Sequence, residues 1–264
     1  MNSTAGIIDL SVWQLTMALV LVAAIIVVSV RQSLGLERDL AIGTVRAIVQ
    51  LYAVGLILAA VFTAARWYWV LLILGVMTGV ATQAAVSRLG KPLPGAAWIA
   101  AIALTVSTAA TLSYVIGVVV QVRPWYEPQY IIPIAGMILG NSMTSAALAG
   151  DRLQSDFRVR SDEIEARLAL GFSGREAVQP MVRASLRAAM IPTVNGMMTV
   201  GLVQLPGMMT GQILAGSSPL VAIRYQMVVV FMQGAATALG SLLFVRLAAG
   251  RYLTPAHQLR RYLL

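Results

Sequence analysis

The stretch "IPTVNGMMTVGLVQL" (residues 191–205) runs into "PGMMTGQILAGSSP" (206–219) without one charged residue. Its first half is apolar enough to cross a membrane, although Pro192 and Asn195 interrupt it. Its second half holds Pro206, Gly207, Gly211, Gly216 and Pro219, which do not suit a continuous helix. Residues 208–215 would make only about 12 Å of helix, too short to cross. The stretch therefore reads as the end of a membrane span over 186–204. A short broken outer segment, about 205–219, follows, and then another span begins.

The rest of the chain supports a membrane setting. Of 264 residues, 59% are hydrophobic and 11% charged, with mean hydropathy +0.82; a soluble domain would carry roughly 25% charge. A bilayer core of about 30 Å needs about 20 apolar residues in a helix. Seven runs meet that need, near 10–30, 42–64, 67–87, 97–120, 129–149, 186–204 and 220–247. The expected fold is an all-α integral membrane protein of about seven transmembrane helices, one permease domain over 1–264 with no separate soluble domain. The N-terminal "MNSTAGIID" has no basic residue, so the first run reads as a retained helix rather than a secretory signal.

Lysine and arginine placement orients the spans. With the N-terminus outside, fifteen basic residues fall on the inner side: Arg31, Arg38, Arg88, Lys91, seven between Arg152 and Arg187, and Arg246, Arg251, Arg260 and Arg261. Arg66 and Arg123 fall outside; Arg46 and Arg224 lie within or near spans and are not counted on either side. The C-terminus is then cytoplasmic, and the setting is a membrane crossed several times. The net charge of +9 is a topology signal in loops, not a nucleic-acid footprint.

Several chemistries are excluded. Without cysteine there is no disulfide, thiolate site or cysteine nucleophile. The sole histidine, His257, lies in the tail, which speaks against a histidine cluster and against a membrane enzyme. There is no Gly-x-x-x-x-Gly-Lys-Ser/Thr loop, so the chain does not bind ATP in that manner.

One inner loop is large. Residues 150–185 hold six of the ten acids. In "SDEIEARLALGFSGREAVQP" (161–180), Ser161 reads as a helix cap with Asp162 and Glu163 in the first turn. Ile164, Leu168 and Ala169 share a face, and Gly171 is placed to stop the helix in a left-handed turn. Ser173 and Glu176 form a capping box for a second, short helix, which Pro180 would disturb unless it opens the next helix. Such a hydrated, mixed-charge loop is a natural docking surface.

Inside the spans, polar groups mark candidates for a pathway. Arg46 and Gln50 lie four apart on one face; Arg46 either snorkels to the surface or faces inward. Asn141, Ser142, Thr144 and Ser145 sit in mid-span beside Gly136 and Gly140. Pro192 frees a backbone carbonyl, and Asn195, Thr199 and Gln204 supply oxygens. The methionine pairs Met197–Met198 and Met208–Met209 offer soft thioethers, although packing is the usual role of methionine. Met208, Met209, Thr210 and Gln212 are candidates for an outer gate. Asp9 and Glu127 sit at outer edges, so the span centres offer a metal ion only sulfur, amide, hydroxyl or carbonyl groups. An ion-coupled secondary transporter would place acids there; a passive channel stays compatible.

The runs "GTVRAIVQL" (43–51), "GMILGNSMTSAALAGDRL" (136–153), "EARLALGFSGREAV" (165–178) and "QLPGMMTGQILAGSSPLVAIRYQ" (204–226) resemble the FetB-type permeases. These are membrane subunits of a bacterial ATP-binding-cassette exporter implicated in iron efflux, with a plant STAR-type branch. The 161–180 loop also resembles the Glu-Ala-Ala…Gly coupling motif of such permeases. Glu165, Ala166 and Gly171 match, while Arg167 replaces the second alanine and Met181 the isoleucine of its tail. The resemblance implies coupling roles for Glu165, Ala166, Arg167, Gly171, Ser173 and Glu176. It implies a FetA-type cytoplasmic ATPase carrying ATP and magnesium, and a complex of two permeases with two ATPases. The cargo it implies is iron, another metal ion, or a non-metal solute such as a nucleotide sugar.

Overall fold

The computed structural model describes residues 10–64, 66–90 and 93–263; Asp9 and Lys91 lie outside them. The described residues form helices and no strand, only isolated bridges. Helices α1 (Val12–Arg31), α2 (Glu37–Ala64) and α3 (Trp67–Ser87) come first. α4 (Ala96–Tyr114) continues as a π-helix, Val115–Val120. Then follow α5 (Pro128–Val159), α6 (Ser161–Ala169), α7 (Gly174–Thr199), α8 (Gly207–Leu214) and α9 (Pro219–Arg251). Six are long and apolar enough to cross a membrane: α1, α2, α3, α4 with its π extension, α5 and α9.

These helices differ in what covers them. Within the most apolar stretch of α4, α5 and α9, 50%, 56% and 50% of residues are buried by the rest of the chain; in α1 and α2 it is 6%. α9 packs on α4, α5 and α7, and α3 packs on α4 and α5. Small residues permit the close crossings. A Cβ on Gly150 would sit 2.6 Å from Phe244 and 2.7 Å from Leu89. One on Gly240 would meet Ser107 Oγ at 3.1 Å and Ser142 Cβ at 3.5 Å. α1 and α2 turn their leucines, valines and isoleucines outward, as a lipid-facing hairpin does. Their link is tied around Ser29, which accepts from the Leu36 N–H and donates to Glu37, both at 3.1 Å.

Several local expectations change. Ser161 is the first helical residue of α6 and Arg160 its cap, without a side-chain cap bond. Ile164 is buried and Leu168 packs against the core, but Ala169 is exposed. The short second helix and the sixth span are one helix: α7 passes through Pro180 and Pro192, because packing on α5 and α9 outweighs the lost hydrogen bonds. The run expected to span 186–204 stops at Thr199 and is not among the six apolar candidates. Residues 200–204 form a turn closed by Gly201 N–H on the Gln204 carbonyl at 2.9 Å, where Gly201 takes a φ of +85°. The 150–185 segment is likewise mostly helix, since α5 continues to Val159.

Candidate functional site

α7 is 26 residues, about 39 Å, and separates two short helices. α6 precedes it and α8 follows it.

At the α8 end, α5, α7, α8 and α9 enclose a cavity of about 430 Å³. Asn141, Thr144, Met197 and Met208 line it together, with Ser145, Gln204, Gln226 and Gln233. Among the described residues no charged side chain lines it. Asn141 Nδ2 donates to the Met137 carbonyl at 3.0 Å, and Thr144 Oγ1 to that of Gly140 at 3.0 Å. The guanidinium of Arg88 donates to Thr144 Oγ1 at 3.3 Å. Gly234 of α9 makes room for the Met197 methyl group, which any Cβ there would strike. Gln226 is buried and its Oε1 has no hydrogen-bond partner among the described residues. A second cavity of about 430 Å³ shares Met197, Pro206 and Gln226 and adds Met209.

Other candidates stay apart. Arg46 and Gln50 lie on the exposed side of α2, and Asn195 and Met198 are exposed on α7. Ser142 is buried against Gly240, and its hydroxyl has no hydrogen-bond partner among the described residues. Gln212 lines neither cavity, although its Oε1 is buried without a partner among the described residues. Sequence reasoning missed Gln226 and Gln233, seven apart and so on one face of α9. It also missed the buried hydroxyls of Thr108, Thr111, Thr237 and Ser241 on α4 and α9, which have no partner among the described residues.

The α6 end is built from charge. Glu163 is held by Arg160 and Arg167, with contacts of 2.7 and 2.9 Å. Glu165 is gripped by Arg261 from the C-terminal segment through two hydrogen bonds of 2.6 Å, and Asp162 joins at 3.1 Å. The hydrogen bonds from Arg160 and Arg261 hold the Glu163 and Glu165 carboxyls below their ordinary range. α6 then ends in a Schellman turn: Phe172 N–H reaches the Arg167 carbonyl at 3.2 Å and Gly171 N–H that of Leu168 at 3.0 Å, with Gly171 at φ +88°. Ser173 and Glu176 form the expected capping box, with bonds of 3.4 and 2.9 Å. The Ser173 hydroxyl and N–H, both donating to the Glu176 carboxylate, hold it below its ordinary range too. His257 Nδ1 accepts from the Gly174 N–H at 3.0 Å, and Tyr252 stacks on Phe157 at 4.5 Å. The tail thus straps α6 to α7. Its partners lie 96 and 83 residues away, beyond any local signal.

The model of the Uncharacterised protein family (UPF0014) matches residues 12–253. The chain belongs to the UPF0014 family. UPF0014 membrane protein slr1647 of Synechocystis is 46% identical over 76% of this chain and 78% of its own length. UPF0014 membrane protein STAR2 of rice is 37% identical over 92% and 84%. The Probable iron export permease protein FetB of Escherichia coli is 36% identical over 93% of both chains. The resemblance to FetB-type and STAR-type proteins is therefore real and nearly full length. No solved structure matches. This UPF0014 member, with six apolar helices, is a multi-pass membrane protein.

Proposed function

We propose that the chain is the membrane-spanning permease subunit of an ATP-driven exporter. The observation that carries this reading is the 36% identity, over 93% of both chains, to a protein named as a probable iron export permease. In this reading a separate FetA-type ATPase binds ATP and magnesium and seats on α6 and the first turns of α7. Two permeases and two ATPases make the complex. α7 runs from α6 to α8, and α9 returns from α8 to a tail that touches α6; this supports counting α7 as a seventh span. The N-terminus is then outside, the C-terminus and α6 are cytoplasmic, and α8 is outside.

The α8-end cavity is the substrate path in this reading, and α8 is its outer gate. A metal ion, iron first, would move against thioether sulfur and amide and hydroxyl oxygens. A ferrous ion accepts such neutral donors less readily than carboxylate or imidazole, which suits release more than storage. The same chemistry supports a second reading. No group of three or more histidine, cysteine, aspartate or glutamate side chains that could hold a metal occurs among the described residues, and the cavity is neutral. A polar organic solute such as a nucleotide sugar would match its amides equally well.

The test is ATP hydrolysis by the reconstituted complex with ferrous iron, monovalent copper, manganese and a nucleotide sugar. Stimulation by iron with uptake of iron into inverted vesicles is expected. Stimulation by the nucleotide sugar alone would select the second reading. ATPase that neither binds the chain nor responds to it would refute the exporter.

A further inference from the structure

A groove of about 320 Å³ lies between the first half of α7 and the last turns of α9. From α7 come Arg175, Val178, Val182, Arg183 and Leu186, a stripe at helical spacing. From α9 come Leu242, Arg246 and Ala249, and beyond it Leu253 and His257. Three guanidinium groups line this groove and no carboxylate does. None of the three has an ion-pair or hydrogen-bond partner among the described residues. The nearest acid in sequence, Glu176, borders an adjoining groove with Arg167, Arg175 and Arg183. Its Oε2 accepts from the Ser173 N–H at 2.9 Å and hydroxyl at 2.7 Å, and among the described residues it makes no ion pair with these arginines.

The depth of the groove matters as much as its charge. By hydropathy one apolar run begins near 186 and another ends near 247. Arg183 and Arg246 therefore stand at a membrane–water boundary. Leu186 and Leu242 stand one turn deeper, where a lipid chain runs. A hydrophilic anion would satisfy the arginines and leave Val182, Leu186 and Leu242 uncovered. A ligand with an anionic head and an apolar tail satisfies both.

We propose that this groove is a binding site for an anionic phospholipid. Its phosphodiester lies on Arg175, Arg183 and Arg246, and its acyl chain lies along Leu186 and Leu242. Basic pockets between spans at the cytoplasmic face take such headgroups. The bound lipid would tie α7 to α9 just inside the surface that α6 and the tail build. The site rests on the topology proposed above, with this end facing the cytoplasm, but on no property of the ATPase or the cargo.

The test uses the full chain purified alone in mild detergent. It is mixed with equal amounts of phosphatidylglycerol and phosphatidylcholine of the same acyl chains and weighed intact by native mass spectrometry. Selective retention of phosphatidylglycerol is expected. The variant Arg175→Gln/Arg183→Gln/Arg246→Gln should retain it roughly a hundredfold less, about fivefold for each arginine. The single variant Arg183→Gln, with one fivefold step, serves if the triple variant does not fold. Equal retention of both lipids, or wild-type retention by Arg183→Gln, would overturn the site. Displacement of the lipid by glycerol phosphate at equal concentration would assign the arginines to a soluble phosphate instead and also overturn it. A triple variant that loses the ATPase subunit while wild-type chain shows no lipid preference would make the groove a protein-docking face. Because no ATPase or cargo enters the lipid measurement, its failure leaves the exporter reading standing.

Discussion

α6 and α8 are alike in build and opposite in chemistry. They have nine and eight residues and lie at the two ends of α7. Each stops at a left-handed glycine, Gly171 at φ +88° and Gly216 at +93°. The bonds repeat as well: Ser217 N–H reaches the Gln212 carbonyl at 2.9 Å and Gly216 N–H that of Ile213 at 3.0 Å, as Phe172 and Gly171 do in α6. Yet α6 carries three acids, one arginine and a strap of ion pairs, whereas α8 carries no charge. One stop signal thus serves two purposes. In the function proposed above, it presents a charged helix to the ATPase subunit and a neutral helix to the solute.

Removing the frame that both helices hang from should have the largest effect. Gly150→Leu forces a side chain into Phe244 and Leu89, where even a Cβ lies 2.6 and 2.7 Å away. Overpacking of this kind costs about 1–3 kcal/mol or more. A marked drop in melting temperature is expected by fluorescence-detected unfolding in detergent; a wild-type melt would show that the crossing can open.

The paired stops can then be broken one at a time. Gly171→Leu and Gly216→Leu each place a side chain at positive φ, with a local cost of about 1–2 kcal/mol. If the two ends differ in role, Gly171→Leu weakens co-purification of the ATPase subunit. Gly216→Leu leaves co-purification intact and slows export. Glu165→Arg should mimic Gly171→Leu, since it sets like charges against Arg261. The same defect from both glycines would erase the distinction drawn here.

The smallest effect is one of pH. Glu163, Glu165 and Glu176 have carboxyls lowered by their arginine and serine partners. A lowered carboxyl adds stability that is full above its unfolded value, about 4.3, and is lost as pH falls through the lower folded value. Amide exchange in α6 and the tail should therefore be steady from pH 8 to 5, after correction for intrinsic rates, and rise only below about 4. α8 has no titrating side chain and should show no such step.

Much of this contrast was legible because it is local. The Gly171 stop, the Ser173–Glu176 box, the short helix after Pro206 and the run 67–87 follow from neighbours in sequence. α7 was not legible as one helix, since Pro180 and Pro192 argue for breaks that packing overrides. Gln226 and Gln233 were missed because only the placement of α9 against α5 and α7 turns them to the cavity. The Glu165–Arg261 and Gly174–His257 contacts close over most of a hundred residues and leave no mark in a window of sequence.

The central claim is that the neutral cavity beside α8 carries the cargo. Ferrous-ion transport into inverted vesicles holding the complete complex tests it directly, with wild-type chain beside Gln226→Leu. Gln226 is buried, lines both cavities and leaves its Oε1 unpaired. Losing that contact with the passing ion is worth about 1–3 kcal/mol. The account predicts transport roughly fivefold or more slower, with the ATPase subunit still bound. Wild-type transport by Gln226→Leu would contradict it.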